Sequence, residues 1–249
     1  LHAGARTCHD APVADAASIL EGLPAAADPR RAAVLEVLSA YLALVEELDL
    51  CPWARPARRA GELRVSIELL DEHPGAGMAE LVHRLAGTAA AWRRDPGMRV
   101  GLALVPDLAL SPAGWRQVRD AVGARAREFV LADFHPEAEY RVDTAAQLVG
   151  LLRRAPDPLL QLVPHADMKA LSRVPHIPTG AELAALLANP HAIPPPPPDP
   201  RERVADENFA TARRLGFAAL AARYEALQAL RRARYAAVGI ALPPGGPPT

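Results

Sequence analysis

Between residues 63 and 163 the chain alternates short β-prone runs with helical periods, and that alternation limits the folds open to it. Residues 63–70 (Leu-Arg-Val-Ser-Ile-Glu-Leu-Leu) alternate well enough for a strand. Residues 78–93 carry Leu81, Val82, Leu85, Ala89 and Trp92 at helical spacing and stop at the turn signal Asp95-Pro96-Gly97. A continuous apolar run over 99–105 has the character of a buried strand. Ser111-Pro112 then supplies an N-cap with proline in the first helical position, opening a helix with Trp115, Val118, Ala121 and Val122 that runs to about 127. A third strand over 128–134, a helix over 144–154 and a fourth strand over 159–163 complete the rhythm. Strands separated by helices of this length predict an α/β fold, with about four strands in a mainly parallel or mixed sheet.

The flanks add helices. From Asp28-Pro29 onward, Val34, Leu35, Leu38, Tyr41, Leu42, Val45 and Leu48 predict a helix that ends near Leu50, because Pro52 disfavours helix in the residue before it. Pro52 and Pro56 are expected to break any further helix, leaving Cys51 in a stiff connection. The chain then divides into a loose arm over 1–29, an α/β domain over 30–188, a proline-rich linker over 189–200, a helical segment over 201–238 and a disordered tail over 239–249. A short helix is expected from Gly180, and a break at Gly216 inside the C-terminal helical segment. Beyond that break, Leu220, Tyr224, Leu227 and Leu230 among many arginines define an amphipathic helix that docks on the domain or pairs two copies as a homodimer.

Composition removes several functions. A formal net charge of −1 and 4% aromatic residues supply neither the field nor the stacking surface that nucleic acid binding uses. No apolar run approaches the length of a membrane span, and the first residues lack the order of a signal peptide. Two cysteines are too few for a disulfide scaffold, so the expected setting is reducing and cytoplasmic.

What remains for chemistry gathers at two points. Cys51 precedes Pro52 and Trp53; Arg55, Arg58, Arg59 and Arg64 follow it and would favour a thiolate, while the helix dipole opposes ionisation if Cys51 only ends the preceding helix and assists it if a turn begins at Pro52. His135 ends the third predicted strand, preceded by Asp133 and fixed by Pro136, at the rim where open α/β sheets bind ligands. His165 and Asp167 follow the fourth strand, and if the strands are parallel neighbours they share that rim with His135. One reading is a small-molecule enzyme in which Cys51 and His135 face a single pocket. The pair would act there as nucleophile and base, or as ligands of a metal or haem iron. The other reading is a non-catalytic binding or assembly protein in which both residues serve packing. No dinucleotide fingerprint, phosphate loop, zincin helix or paired-cysteine zinc pattern is present.

Three segments together resemble a bacterial family, domain of unknown function 1415 (DUF 1415). They are Leu48-Asp49-Leu50-Cys51-Pro52-Trp53-Ala54, Ala132-Asp133-Phe134-His135-Pro136 and Arg154-Ala155-Pro156-Asp157-Pro158-Leu159-Leu160. Asn208 and Leu215-Gly216 are similar to the family's closing segment, so the likeness covers about residues 31–217. The chain departs from the pattern where Gln161 replaces an expected histidine and Pro164-His165 replace an arginine and an acid. Thr144-Ala145-Ala146-Gln147 also stands where the family is Asn-rich. The resemblance therefore implies a divergent member and carries no reaction with it. Arg55, Arg64, Asp133, Arg154 and His165 complete the candidate substrate-binding set around Cys51 and His135.

Overall fold

The computed structural model describes residues 21–172, 180–188 and 200–243. The first helix, α1 (Pro29–Glu47), is capped by Asp28, whose carboxylate accepts from the Arg30 N–H. Its buried residues run almost without interruption from Ala33 to Val45. A helix apolar on nearly every side belongs inside a structure, and α1 lies between the sheet and the C-terminal helix. A short helix, α2 (Ala54–Arg59), follows Cys51. Pro56 was expected to prevent it, but it sits in the first turn, where no backbone N–H is needed.

Strand β1 (Leu63–Ile67) leads through a 3-10 turn (Leu70–Glu72) to α3 (Met78–Arg93) and β2 (Val100–Leu104). Helix α4 (Pro112–Gly123) starts at Ser111, whose hydroxyl accepts from the Gly114 N–H as the Ser-Pro signal predicts. Then come β3 (Phe129–Phe134), α5 (Ala145–Leu152), β4 (Leu159–Pro164) and α6 (His165–Ser172). Helix α7 (Gly180–Ala188) precedes α8 (Pro200–Leu215) and α9 (Phe217–Val238). Gly216, at a φ of 93°, separates those last two by a left-handed kink that glycine takes without steric cost.

The sheet order is β1-β2-β4-β3. Only β1 and β2 run parallel; β4 is antiparallel to both neighbours, with Leu102 opposite Gln161 and Phe134 opposite Leu159. The sheet is thus mixed, and this corrects the geometry on which a shared histidine rim depended. Antiparallel neighbours send their carboxyl ends in opposite directions. His165 therefore leaves β4 beside the start of β3, its N–H donating to Glu128 O at 2.9 Å, at the end of the sheet remote from His135.

Two apolar layers cover the sheet. One packs α1, α2, α5, α8 and α9 against Val100, Leu102, Leu104, Leu159 and Val163. The other packs α3 and α4 against Ala103, Phe129, Leu160 and Leu162. Helix α9 places Leu220, Tyr224, Leu227, Arg231 and Tyr235 in the interior, so its apolar stripe is covered within the chain by α1 and the sheet. Ile240, inside the expected tail, is buried in the same core. The linker and most of the N-terminal arm lie outside the described residues.

Arg231 is the charged member of that stripe. Its guanidinium donates to Asp157 Oδ1 at 2.6 Å and to Pro106 O at 2.7 Å, while the Tyr235 hydroxyl donates to Asp157 Oδ2 at 2.5 Å. The side chains of Arg231 and Asp157 are 8% and 1% exposed, so solvent barely screens the pair. Removing one member leaves a buried charge without a partner, which costs about 3–5 kcal/mol, whereas removing both costs far less. Arg231→Met should lower the unfolding free energy by about that amount in chemical denaturation, and adding Asp157→Leu should restore part of the loss.

Candidate functional site

Cys51 is a free thiol placed by two backbone devices. Helix α1 ends with Leu50 N–H donating to Val45 O at 2.9 Å and with Asp49 at a φ of 55°. Asn208 of α8, itself buried, donates to Leu50 O at 3.1 Å and holds the exit from the other side. The thiol enters a cavity of about 40 Å³ lined by Tyr41, Leu42, Leu102, Phe134, Leu159 and Gln161, among others. Gln161 Nε2 lies 3.8 Å from the sulfur. Burial pushes the Cys51 thiol up, and the N–H groups of Trp53 and Ala54 with the Gln161 amide pull the other way without cancelling it. The thiol form is therefore the stable one.

Three of the four arginines expected to help are engaged elsewhere, and Arg59 is exposed. Arg55 binds Glu46 O, Arg58 donates to the Glu46 carboxylate at 2.7 and 2.8 Å, and Arg64 pairs with Asp95 at 2.6 Å. Arg154 donates to Ala138 O at 3.3 Å and lies over the Tyr140 ring. Each of these cations has a partner within the fold, and none points at the sulfur.

His135 is equally committed. Its Nε2 lies 2.9 Å from Leu110 O, and its Nδ1 accepts from the Glu137 N–H at 3.1 Å. A carbonyl can only accept and an N–H can only donate, so the ring is the neutral tautomer with hydrogen on Nε2. Burial also lowers its basicity from the ordinary histidine value of 6.5. Asp133, one residue before Phe134, pairs with Arg119 of α4 at 2.5 Å and with Arg153 at 3.5 Å. Phe134 lines the Cys51 cavity, whereas the ring of His135 turns to Leu110, which packs with the α3/α4 layer. The structure brings Asp133 and His135 to one end of β3. It does not join His135 to Cys51 through any contact.

His165 is exposed at the start of α6, and Asp167 pairs with Arg99, both at the opposite end of the sheet. Among the described residues no three His, Cys, Asp or Glu side chains converge as a metal site. The Cys51 cavity, at about 40 Å³, is far below the size of a haem, so the space beside the thiol does not fit one.

The interior features that sequence reasoning missed are the Gln161 contact and the Asp157–Arg231–Tyr235 network. The second had a readable signal: Arg231 continues the spacing of Leu220, Tyr224 and Leu227, and an arginine on a buried stripe requires an acid.

A second concavity lies along the open edge of β1. It is a groove of about 440 Å³ walled by Pro24, Ala26, Leu35 of α1 and the side chains of Val65 and Ile67, among others. Asp28 and Arg31, at its margin, are bonded to each other at 2.7 Å. In the parallel ladder Glu62 O accepts from Val100 N–H, and Glu68 N–H donates to Leu104 O at 2.9 Å. The even-numbered residues therefore face β2, and Leu63, Val65 and Ile67 turn their N–H and C=O groups outward. Among the described residues no backbone group pairs with that edge.

Fold and site together define a mixed-sheet α/β protein with a small thiol cavity and, among the described residues, an unpaired edge on β1 bordered by a groove. Neither a protein-family model, nor a curated protein, nor a solved structure matches the chain. No described helix is long and apolar enough to cross a membrane.

A half-buried, protonated thiol reacts slowly with disulfide reagents. In a Cys8→Ser background, native Cys51 should react with Ellman's reagent at least about tenfold more slowly than the same chain in denaturant. Stopped-flow absorbance would measure both rates.

Proposed function

We propose that this chain is a non-catalytic binding protein that takes an extended peptide onto the open edge of β1. The observation carrying this reading is the pair of outward-facing residues Val65 and Ile67, whose N–H and C=O groups turn away from β2 beside an apolar groove, while the Leu63 carbonyl accepts from Arg64 at 3.2 Å. Strand addition uses those two elements together: main-chain hydrogen bonds give affinity, and a groove receives alternate side chains. Val65 and Ile67 line the groove, so a peptide's residues facing α1 would meet Leu35 and the alanines of 25–27. At about 440 Å³ the groove falls within the range of about 300–1,000 Å³ typical of ligand sites.

The rival, an enzyme built on Cys51 and His135, has less support. The cavity beside Cys51 is about tenfold smaller than a ligand site, and each ring nitrogen of His135 already has a backbone partner. In the binding reading both residues hold the fold: Cys51 fills the space beneath α1, and His135 joins two loops.

Val65→Pro tests the proposal, because it deletes an outward N–H and leaves the ladder to β2 intact. The probe is a short capped peptide alternating valine with threonine, titrated into isotopically labelled protein. Binding should shift the amides of 63–67 and weaken on the order of tenfold in Val65→Pro, with the circular dichroism unchanged. Equal binding by the variant, or shifts confined to Leu102 and Leu159 around Cys51, would overturn it.

A further inference from the structure

We propose that His135 is an acid-sensitive latch that holds the loop over 136–143 against α5 and lets it open when the imidazole is protonated. The latch is the Glu137 N–H donating to Nδ1 at 3.1 Å. Nε2 already spends its hydrogen on Leu110 O, so an added proton must go to Nδ1. There it sets an N–H against an N–H, and the bond to the loop is lost.

Other attachments of the loop do not involve the imidazole. Ala138 N–H donates to His135 O at 3.1 Å, Arg154 Nε donates to Ala138 O at 3.3 Å, and Arg141 N–H donates to Gln147 O at 3.3 Å. Tyr140 stacks beneath the Arg154 guanidinium at 5.2 Å. The loop backbone lies hard on α5 at Gly150, where a Cβ would stand 1.8 Å from Glu139 O. Tyr140 and Val142 cover the same core that contains Phe134 and the Cys51 cavity. Opening the loop would therefore expose apolar surface next to that cavity.

The charges around the ring come from several elements. Glu137 on the loop and Asp133 on β3 favour the imidazolium, and Arg231 on α9 opposes it. Asp133 is itself held by Arg119 of α4 and Arg153, and Arg231 by Asp157. Burial outweighs the two carboxylates, so the closed state keeps the ring neutral below the ordinary value of 6.5. An opened, solvated ring regains that value. Closure is thus fully favoured above 6.5 and is progressively lost as pH falls from there toward the lower value of the closed state.

Hydrogen exchange, corrected for the intrinsic pH dependence, tests the latch in the full chain. Between about pH 7.5 and about pH 5, protection of the Ala138 and Arg141 amides should fall by up to about 30-fold, the limit for one histidine of ordinary basicity in the open state. In His135→Gln, which keeps an N–H for Leu110 O, the same amides should be poorly protected at both values and independent of pH. Unchanged protection in the natural chain, or the same pH-dependent loss in the variant, would overturn the proposal. If the variant does not fold, the ring of the natural chain can be titrated by NMR. Loop amides shifting with the ring's own midpoint support the latch, and a ring that titrates while the loop stays fixed refutes it.

Discussion

The placement of β4 between β2 and β3, antiparallel to both, is the constraint on which the rest of the molecule depends. Each side of this strand serves a different layer: Leu159, Gln161 and Val163 face α1, and Leu160 and Leu162 face α3 and α4. Because it is central, it can carry few polar side chains, and the one it carries toward α1 is Gln161, which meets the thiol of Cys51. Its entry is fixed by Asp157, which is bound by Arg231 and Tyr235 of α9. One buried carboxylate thus ties the last helix to the middle of the sheet. A single hydrogen-bonded ion pair of this kind adds little net stability over an apolar pair but strongly disfavours alternative packings that would leave either charge alone.

That arrangement also explains how much of the fold was readable in the sequence. The boundaries of α3, the Ser111 cap and the break at Gly216 follow from short-range chemistry: a period, a hydroxyl, a residue without Cβ. Strand direction does not. The segment between Phe134 and Leu159 contains α5, which makes it resemble a parallel crossover, yet the chain folds back beside β3. Nothing local distinguishes the two outcomes, since both bury the same apolar runs. The placement of His165 near His135 failed for that reason alone.

The candidate site was legible in part. Cys51 was recognisable as a residue in a stiff connection at a helix exit, and the structure supplies the rigidity through Asn208 and the positive φ of Asp49. What sequence could not supply was the partner of each charged group. Arg55, Arg58 and Arg64 lie near Cys51 in the chain, but Glu46 and Asp95 capture them, because a carboxylate within hydrogen-bond distance outcompetes a thiol whose ionisation burial opposes. Proximity in sequence counts charges; only the fold assigns them.

His135 carries the same lesson further. A histidine after a strand and before a proline has the position of a catalytic base, and its meaning is decided by which atoms reach its two nitrogens. Here both are backbone atoms, from segments 25 residues before and 2 residues after it. Such a ring cannot accept a proton without breaking a bond that orders its own loop. General-base chemistry and loop anchoring therefore compete for one lone pair on Nδ1, and the geometry gives that lone pair to the loop. The site that results responds to proton concentration through its structure, and it does so at the end of β3 where Phe134 lines the Cys51 cavity.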